Sequence, residues 1–278
     1  MTIKLFFTAC TCALLTIGCT QPKADGVVIL HTNDTHSQVE PIAEGAKNGG
    51  MAGYARRMAI VAQERAKEKM PTLLVDAGDF VQGTPYFNLY HGRIEVDAMN
   101  RLGYDAATLG NHEFDYGVDT LACILRQANF PIVCCNYDVN GTALEGIVKP
   151  YSIVEKEGLR IGILGVGVQP KGLIADNNFR GITYKDPIVS ANAIAQQLKC
   201  DEKCDMVICL SHIGDSYDDE RPSDVRLAAQ SQYIDAIIGG HTHEMVQKKV
   251  ANLLGDSIPV VQMGKSGAYL GKLTLTQK

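Results

Sequence analysis

Side chains that bind metals or move protons are concentrated in five short polar segments of the sequence. Each segment follows an apolar run, so it stands where a buried strand is expected to end. A lone histidine in such a place is usually a capping or core residue, but a series of five such segments calls for a functional explanation. The residues concerned are Asp34, His36, Asp79, Asn111, His112, Asp115, His212, His241 and His243.

Together these residues offer enough nitrogen and oxygen donors for two divalent cations, whereas a single zinc ion would use only about four of them. In two-metal hydrolytic sites the cations lie roughly 3.5–4 Å apart and share a carboxylate and a hydroxide. Two divalent cations outweigh the charges of Asp34, Asp79 and one hydroxide, so the site stays positive and favours an anionic substrate. A phosphate ester fits such a site better than a peptide or a carboxylic ester.

The elements that must position these side chains are strands alternating with helices, which is typical of a layered α/β domain. Ligands gather at the carboxyl ends of strands in such sheets. The apolar runs predict strands at 27–31, 72–76, 105–110, 131–136, 205–212, 235–240, 258–264 and 269–276, and a hairpin at 151–166. Helical patterns occur at 51–69, 93–102, 117–129, 188–199 and 223–231.

Composition narrows the class of protein further. The 278 residues are 46% hydrophobic and 21% charged, which indicates a globular chain. Lys and Arg total 26 against 31 Asp and Glu, and no segment concentrates the basic residues, so a nucleic acid polymer is not expected as a partner. Arg56 and Arg57 are interpreted as part of a solvated helix face.

The N-terminal segment predicts export. One early lysine precedes an apolar stretch that ends in a small residue, as in signal peptides, and LLTIGC resembles a bacterial lipobox. We expect residues 1–18 to be a lipoprotein signal peptide, 19–26 a tether with lipidated Cys19, and 27–278 a single domain that carries the five polar segments. The alternative is an ordinary signal peptide cleaved nearby. The expected location is the bacterial cell envelope, periplasmic or on the surface, with the lipid as the only membrane contact.

Six cysteines remain in the expected mature chain, an even number that permits disulfides in an exported protein. Cys200 and Cys204 are the favoured pair because they lie close together between a helix and a strand. A zinc site at that place is not expected, since no further ligands lie nearby.

The segments ILHTNDTHS, DAGDFVQGTPYF, LGNHEFDYG and GGHTHE carry a family resemblance. They resemble the calcineurin-like metallophosphoesterases, and within them the 5'-nucleotidase branch, over about residues 27 to 275. The resemblance implies a four-layer αββα sandwich with a dinuclear site at the carboxyl ends of the strands. An amidohydrolase barrel is disfavoured, because its HxH motif would come first in the chain rather than last.

The resemblance also implies a role for each site residue. One metal would be held by Asp34, His36, Asp79 and His243, and the other by Asp79, Asn111, His212 and His241, with Asp79 as the bridge. His112 would stabilise the transferring phosphoryl group or assist the leaving oxygen, and Asp115 would orient it. The implied reaction is in-line attack on phosphorus by a metal-bridged hydroxide. The ions could be Zn, Mn, Co or Fe, since mixed donors accept all four.

The implied activity is a metal-dependent phosphoric ester hydrolase, a 5'-nucleotidase-like phosphomonoesterase of nucleotide catabolism. Hydrolysis of 2',3'-cyclic nucleotides or of nucleotide sugars is the alternative, because all share the metal core. In the 5'-nucleotidase branch a C-terminal domain recognises the base, and this sequence stops at Lys278. We therefore expect either a partner chain that supplies this recognition, without which the subunit is inactive, or weak discrimination among phosphate esters.

Overall fold

A computed structural model describes residues 23–277 of the chain. The expected signal peptide and Cys19 lie outside the described residues, as does the first part of the tether. The last part of the tether is attached to the fold, because Lys23 pairs with Asp205 and the Ala24 amide donates to the Glu157 carbonyl. Within residues 23–277, no helix combines the length and apolarity needed to cross a bilayer.

The described chain alternates strands with helices along most of its length. The strands are β1 (Gly26–Thr32), β2 (Thr72–Asp76), β3 (Ala106–Ala107), β4 (Ile132–Val133), β5 (Tyr137–Asp138), β6 (Val148–Lys149), β7 (Tyr151–Lys156), β8 (Leu159–Gly167), β9 (Thr183–Tyr184), β10 (Met206–His212), β11 (Ala236–Ile238), β12 (Met245–Ala251), β13 (Ser257–Met263) and β14 (Gly271–Thr276). The α-helices are α1 (Tyr54–Lys67), α2 (Pro85–Tyr90), α3 (Arg93–Leu102), α4 (Gly117–Leu125), α5 (Pro187–Gln196) and α6 (Asp224–Ala229).

Two six-stranded sheets form the centre of the fold. The first has the order β14-β1-β2-β3-β4-β6, and the second has the order β12-β13-β11-β10-β8-β7. Strands β1, β2, β3, β4 and β6 run parallel, as do β8, β10, β11 and β13 in the other sheet. Antiparallel strands close the edges at β14, β12 and β7. The parallel strands of each sheet therefore end at a common edge.

Helices cover the outer faces of both sheets, and the alternation of side chains in β1 shows why. Val27 and Ile29 belong to the apolar cluster between the two sheets, whereas Val28 and Leu30 belong to the cluster with α1, α3 and α4. A third cluster joins the second sheet to α5 and α6. Strands buried on both faces must be apolar throughout, which explains the continuous apolar runs. The predicted four-layer αββα sandwich is confirmed.

Two predictions about side chains were wrong: the pairing of Cys200 with Cys204, and the place of Arg57 on a solvated helix face. Cys200 and Cys204 are free cysteines, like the other four of the described chain. Cys204 packs into the cluster beside α5, while Cys200 lies in the π-helical turn Gln197–Asp201 that follows α5. Arg57 is only 4% exposed, and its guanidinium lies over the Tyr54 ring, 4.8 Å from the centroid, instead of on a solvated face.

Candidate metal centre

The predicted ligands meet where the parallel strands of both sheets end. Loops after β1, β2 and β3 carry the ligands of the first sheet, and the second sheet supplies the end of β10 and the loop after β11. The residues placed this way are Asp34, His36, Asp79 and Asn111 from the first sheet, and His212, His241 and His243 from the second.

A first group of candidate ligands consists of Asp34, His36 and His243. One donor atom from each lies within 4.8 Å of the others. The Nε2 atoms of His36 and His243 are 2.9 Å apart, and His243 Nε2 is 3.3 Å from Asp34 Oδ1. Two imidazoles and a carboxylate converging on one point are a common ligand set for first-row divalent metals.

A second group consists of Asp34, Asp79 and His212. His212 Nε2 lies 3.1 Å from Asp79 Oδ2 and 3.9 Å from Asp34 Oδ1. Asp34 is thus common to both groups, and the bridging role of Asp79 stays a prediction. Beside this group Asn111 Oδ1 and His241 Nδ1 are 3.0 Å apart, and the His241 ring centroid is 5.3 Å from that of His212.

The surroundings of His212 fit a cation. Its Nδ1 lies 2.7 Å from the Ala77 carbonyl oxygen, which fixes Nδ1 as the donor, while its buried Nε2 has no hydrogen-bond partner among the described residues. Two glycines leave space for the ligand side chains. A Cβ at Gly110 would lie 2.2 Å from Asp79 Oδ1, and one at Gly240 would lie 2.8 Å from His212 Nδ1. A buried, oriented imidazole nitrogen beside two carboxylates is what a metal ligand requires.

The electrostatic interactions among His212, Asp79 and His241 also fit a bound cation. Burial lowers the pKa of His212, but the negative charge of the adjacent Asp79 carboxylate outweighs this, and the pKa rises to about 10. Burial would raise the pKa of Asp79, yet His212 brings it well below its usual range. Burial lowers the pKa of His241 to about 4, and the charge of His212 adds to this. The metal-free site therefore keeps a proton on His212, and a bound cation would displace it.

The backbone at the ligands is strained. Asp34, His36, Asp79, His241 and His243 have φ values of 46°, 46°, 55°, 77° and 59°. This left-handed region is unfavourable for residues other than glycine, and it persists only where surrounding structure enforces it. For Asp34 that structure is visible, since its carboxylate oxygens accept the His241 amide at 3.0–3.1 Å and its carbonyl accepts the Ser266 amide at 2.7 Å.

His112 and Asp115 lie next to the ligands. His112 Nδ1 is 3.0 Å from Asp115 Oδ2, and the His112 ring centroid is 5.5 Å from that of His36. The His112 amide also donates to Asp79 Oδ1 at 2.9 Å. Burial lowers the pKa of His112, but the hydrogen bond to Asp115 and the charge of Asp79 raise it overall. Asp115 and Asp79 therefore favour the protonated form of the His112 ring at the rim of the site.

Two supporting residues were missed by the sequence analysis. Glu113 is 4% exposed and accepts the amides of Asp79, Phe80 and Gly110 at 2.6–3.1 Å. Asn33 donates to Asp34 Oδ2 at 2.6 Å and accepts the Met263 amide at 2.8 Å. Glu113 stands in the motif NHE and Asn33 in the motif NDTH, each close to a candidate ligand. The sequence gave no sign that these polar side chains are buried.

Comparison with known proteins agrees with this geometry. The family model described as calcineurin-like phosphoesterase matches residues 27–245. Snake venom 5'-nucleotidase from Crotalus adamanteus is 33% identical over 272 residues, which are 90% of this chain and 45% of that protein. The trifunctional nucleotide phosphoesterase YfkN of Bacillus subtilis is 30% identical, with 91% of this chain and 18% of that protein covered.

Solved structures give the same relationship. The crystal structure of a 5'-nucleotidase precursor from Thermus thermophilus superposes with a TM-score of 0.81 at 31% identity, covering 90% of this chain and 51% of that chain. The chain thus spans about half the length of the 5'-nucleotidases it matches.

Proposed function

The chain belongs to the calcineurin-like phosphoesterase family, and from this we propose that it is a dinuclear-metal phosphomonoesterase that acts on nucleotides. The observation that carries the proposal is the convergence of Asp34, His36, Asp79, His212 and His243 at one edge of two sheets. The similarity to 5'-nucleotidases over nine-tenths of the chain supports a nucleotide as substrate.

We assign the ligands as the motifs imply. Asp34, His36, Asp79 and His243 would hold one ion, and Asp79, Asn111, His212 and His241 the other. Proximity supports the assignment, because Asn111 and His241 lie against the second group and His36 faces His243. Zn, Mn, Co and Fe all suit this mixture of donors. When bound, the ions would neutralise phosphate charge and provide an activated water.

The protein's own groups then orient the phosphate and move the proton. His112, whose protonated form the hydrogen bond to Asp115 favours, would donate to a phosphoryl oxygen or to the leaving oxygen of the ester. Asp115 acts as a positioning residue, because it holds the Nδ1 of His112. Glu113 fixes the backbone of the loops that carry Asp79 and Asn111.

We also propose export, with residues 1–18 as a signal peptide, 19–26 as a tether and lipidation at Cys19, followed by one catalytic domain over 27–278. The lipobox-like sequence supports this. Metabolic labelling with a fatty acid tests it: label should enter the wild-type chain and be absent from Cys19→Ala.

The test of the function is reconstitution. The purified chain is stripped of metal, given Mn²⁺, Co²⁺ or Zn²⁺, and assayed for phosphate release from AMP, with Asp79→Asn as the inactive variant and exposed Asp119→Asn as the control. We expect release that depends on metal, is lost in Asp79→Asn and is retained in Asp119→Asn. Absence of release despite binding of two ions would contradict the proposal and indicate a subunit that requires a partner chain.

A second candidate is a broader nucleotide phosphoesterase activity that includes 2',3'-cyclic nucleotides and nucleotide sugars. The similarity to a protein named a trifunctional nucleotide phosphoesterase favours it. Assaying 2',3'-cyclic AMP and UDP-glucose beside AMP separates the two, since a strict phosphomonoesterase would leave both intact.

A further inference from the structure

Arg57 is a buried cation that the proposed chemistry does not use. Arginine is rarely buried unless it is paired, yet Arg57 is only 4% exposed, and its Nε and Nη2 atoms have no hydrogen-bond partner within residues 23–277. Burial lowers its pKa, but the polar groups around it, Tyr104 first among them, raise the pKa overall, so the guanidinium stays charged. A buried charge is costly and therefore calls for a functional explanation.

The guanidinium contacts a tyrosine ring and a loop. The ring is that of Tyr54 in the same helix α1, with its centroid 4.8 Å from Arg57 Cζ. The loop 264–270 joins β13 of the second sheet to β14 of the first. A Cβ at Gly267 would collide with Arg57 Nη2 and would lie 2.9 Å from Cζ, so the backbone of this loop rests directly on the guanidinium.

The contact between the loop and α1 leaves little free space. The cavity lined by Arg57 and Gly267 is only about 20 Å³, roughly the space for one water molecule. Gly267 also has a φ of 59°, in the left-handed region that favours glycine. A larger residue at position 267 would therefore have to displace either the loop or the guanidinium.

The same loop holds Asp34. The Ser266 amide donates to the Asp34 carbonyl at 2.7 Å, and the Gly264 carbonyl accepts Asn33 Nδ2 at 2.8 Å. Asn33 Nδ2 also donates to Asp34 Oδ2 at 2.6 Å. Because Asp34 belongs to both groups of candidate ligands, a shift of the loop would move a carboxylate that the two groups share.

We propose that Arg57 is a positioning residue of the metal centre: its guanidinium supports the loop 264–270, and this loop fixes Asp34. The inference rests on the proposed function, since it takes Asp34 to be a metal ligand. Arg57 acts through the loop and not through contact with an ion or with the substrate.

A guanidinium suits this role better than a flexible side chain. It is planar and stacks on aromatic faces, so it can contact the Tyr54 ring and the Gly267 backbone together. A flexible apolar side chain would fill the space without setting one distance between α1 and the loop. Arg57 therefore links the first helix to the position of Asp34.

The first test is a double-mutant cycle on the full, metal-stripped chain, with the Mn²⁺ affinity measured by titration calorimetry. Arg57→Ala should lower the affinity about tenfold, and so should Gly267→Ala, whose methyl group would push against the guanidinium. Once the guanidinium is absent the methyl group has room, so the double variant should bind about tenfold, not about a hundredfold, weaker than the wild type.

Two controls match the two substitutions. Gly255→Ala places alanine at a φ of 81° with no atom within 4 Å, so it carries the backbone strain without the collision. Arg101→Ala removes an exposed arginine that pairs with Asp97 on α3. Both should bind Mn²⁺ like the wild type. Additive losses in the double variant would overturn the inference. Wild-type affinity in Arg57→Ala would do the same, even if urea denaturation shows a loss of stability, because Arg57 would then be structural only.

The second test needs neither metal nor turnover: hydrogen exchange of the Ser266 amide in the metal-free chain, followed by NMR. This amide donates to Asp34, so its exchange should be about tenfold faster in Arg57→Ala and unchanged in Arg101→Ala. Exchange at the wild-type rate in Arg57→Ala would contradict the support of the loop by Arg57. If the wild-type chain binds no Mn²⁺, the proposed function fails, and the exchange of Ser266 still decides whether Arg57 holds the loop against Asp34.

Discussion

The proton donor that we propose at the rim of the site, His112, is held by the carboxylate of Asp115. Because Asp115 holds Nδ1 of His112 and raises the pKa of the ring, Asp115→Asn should lower kcat by about 10–100-fold. His112→Ala removes the donor itself and should lower kcat by about 10²–10⁴-fold. Steady-state hydrolysis of AMP measures both. The idea fails if Asp115→Asn behaves like Asp119→Asn, an exposed carboxylate in the first turn of α4.

A buried histidine outside the site should make stability depend on pH. Burial lowers the pKa of His31 to about 4, against 6.5 when exposed. Between these values the unfolded chain binds a proton that the folded chain refuses, so stability is complete above pH 6.5 and falls as the pH drops towards 4. The loss for this one group approaches roughly 3 kcal/mol.

Urea denaturation of the wild type and of His31→Gln at pH 7.5 and pH 5 checks this expectation. Histidines of the metal centre titrate equally in both proteins, so their contribution cancels in the comparison. An identical pH dependence in the two proteins would show that His31 takes no part in it.

Glu113 joins the loops after β2 and β3 of the first sheet, so its replacement should affect both loops. Glu113→Gln removes an acceptor oxygen shared by the loops after β2 and β3. We expect a free energy of unfolding lower by about 1–3 kcal/mol and a metal affinity lower by about 10–100-fold. Urea denaturation and titration calorimetry with Mn²⁺ measure these.

The matched control is Glu145→Gln, whose carboxylate accepts only the exposed Gly141 amide in the hydrogen bonds formed by the described chain. It should change neither quantity appreciably. Equal metal affinity in Glu113→Gln and Glu145→Gln would refute the supporting role of Glu113.

The sequence was informative where burial leaves a clear apolar pattern. Strands such as β1 and β10, buried over their full length, were predicted nearly to the residue. β12 was missed because this edge strand is mostly exposed and reads MVQKKVA, and α2 because its short sequence begins with proline. The ligand series was predicted from strand ends and motifs. Burial of Arg57 and Glu113 was not, because it depends on which helix or loop packs against them.

At the level of the whole molecule, the candidate metal centre draws its residues from both sheets. Asp34 and Asp79 come from the first and His212 and His243 from the second, and even without metal Asn33 donates to the Gly264 carbonyl across the gap. Bound ions should therefore stabilise the whole fold, by about 2.7 kcal/mol per site when the free metal exceeds Kd a hundredfold.

Thermal denaturation with and without a chelator measures this stabilisation. The melting temperature should rise with metal in the wild type and in Asp119→Asn, and it should not respond in Asp79→Asn. Hydrogen exchange should slow on metal addition in the loops after both β1 and β11. Protection confined to one sheet would contradict a centre that spans the two.

The left-handed backbone at five of the ligands has a consequence for how this protein would evolve or be engineered. At His36 and His243, whose ring nitrogens accept no backbone amide among the described residues, glycine would relieve strain without leaving a buried donor unpaired, so in the absence of metal these two replacements are expected to be neutral or stabilising. A population of variants selected only for heat resistance of the metal-free chain would therefore drift away from the ligand residues. Selection for the proposed metal chemistry would have to maintain these residues against this pull from stability.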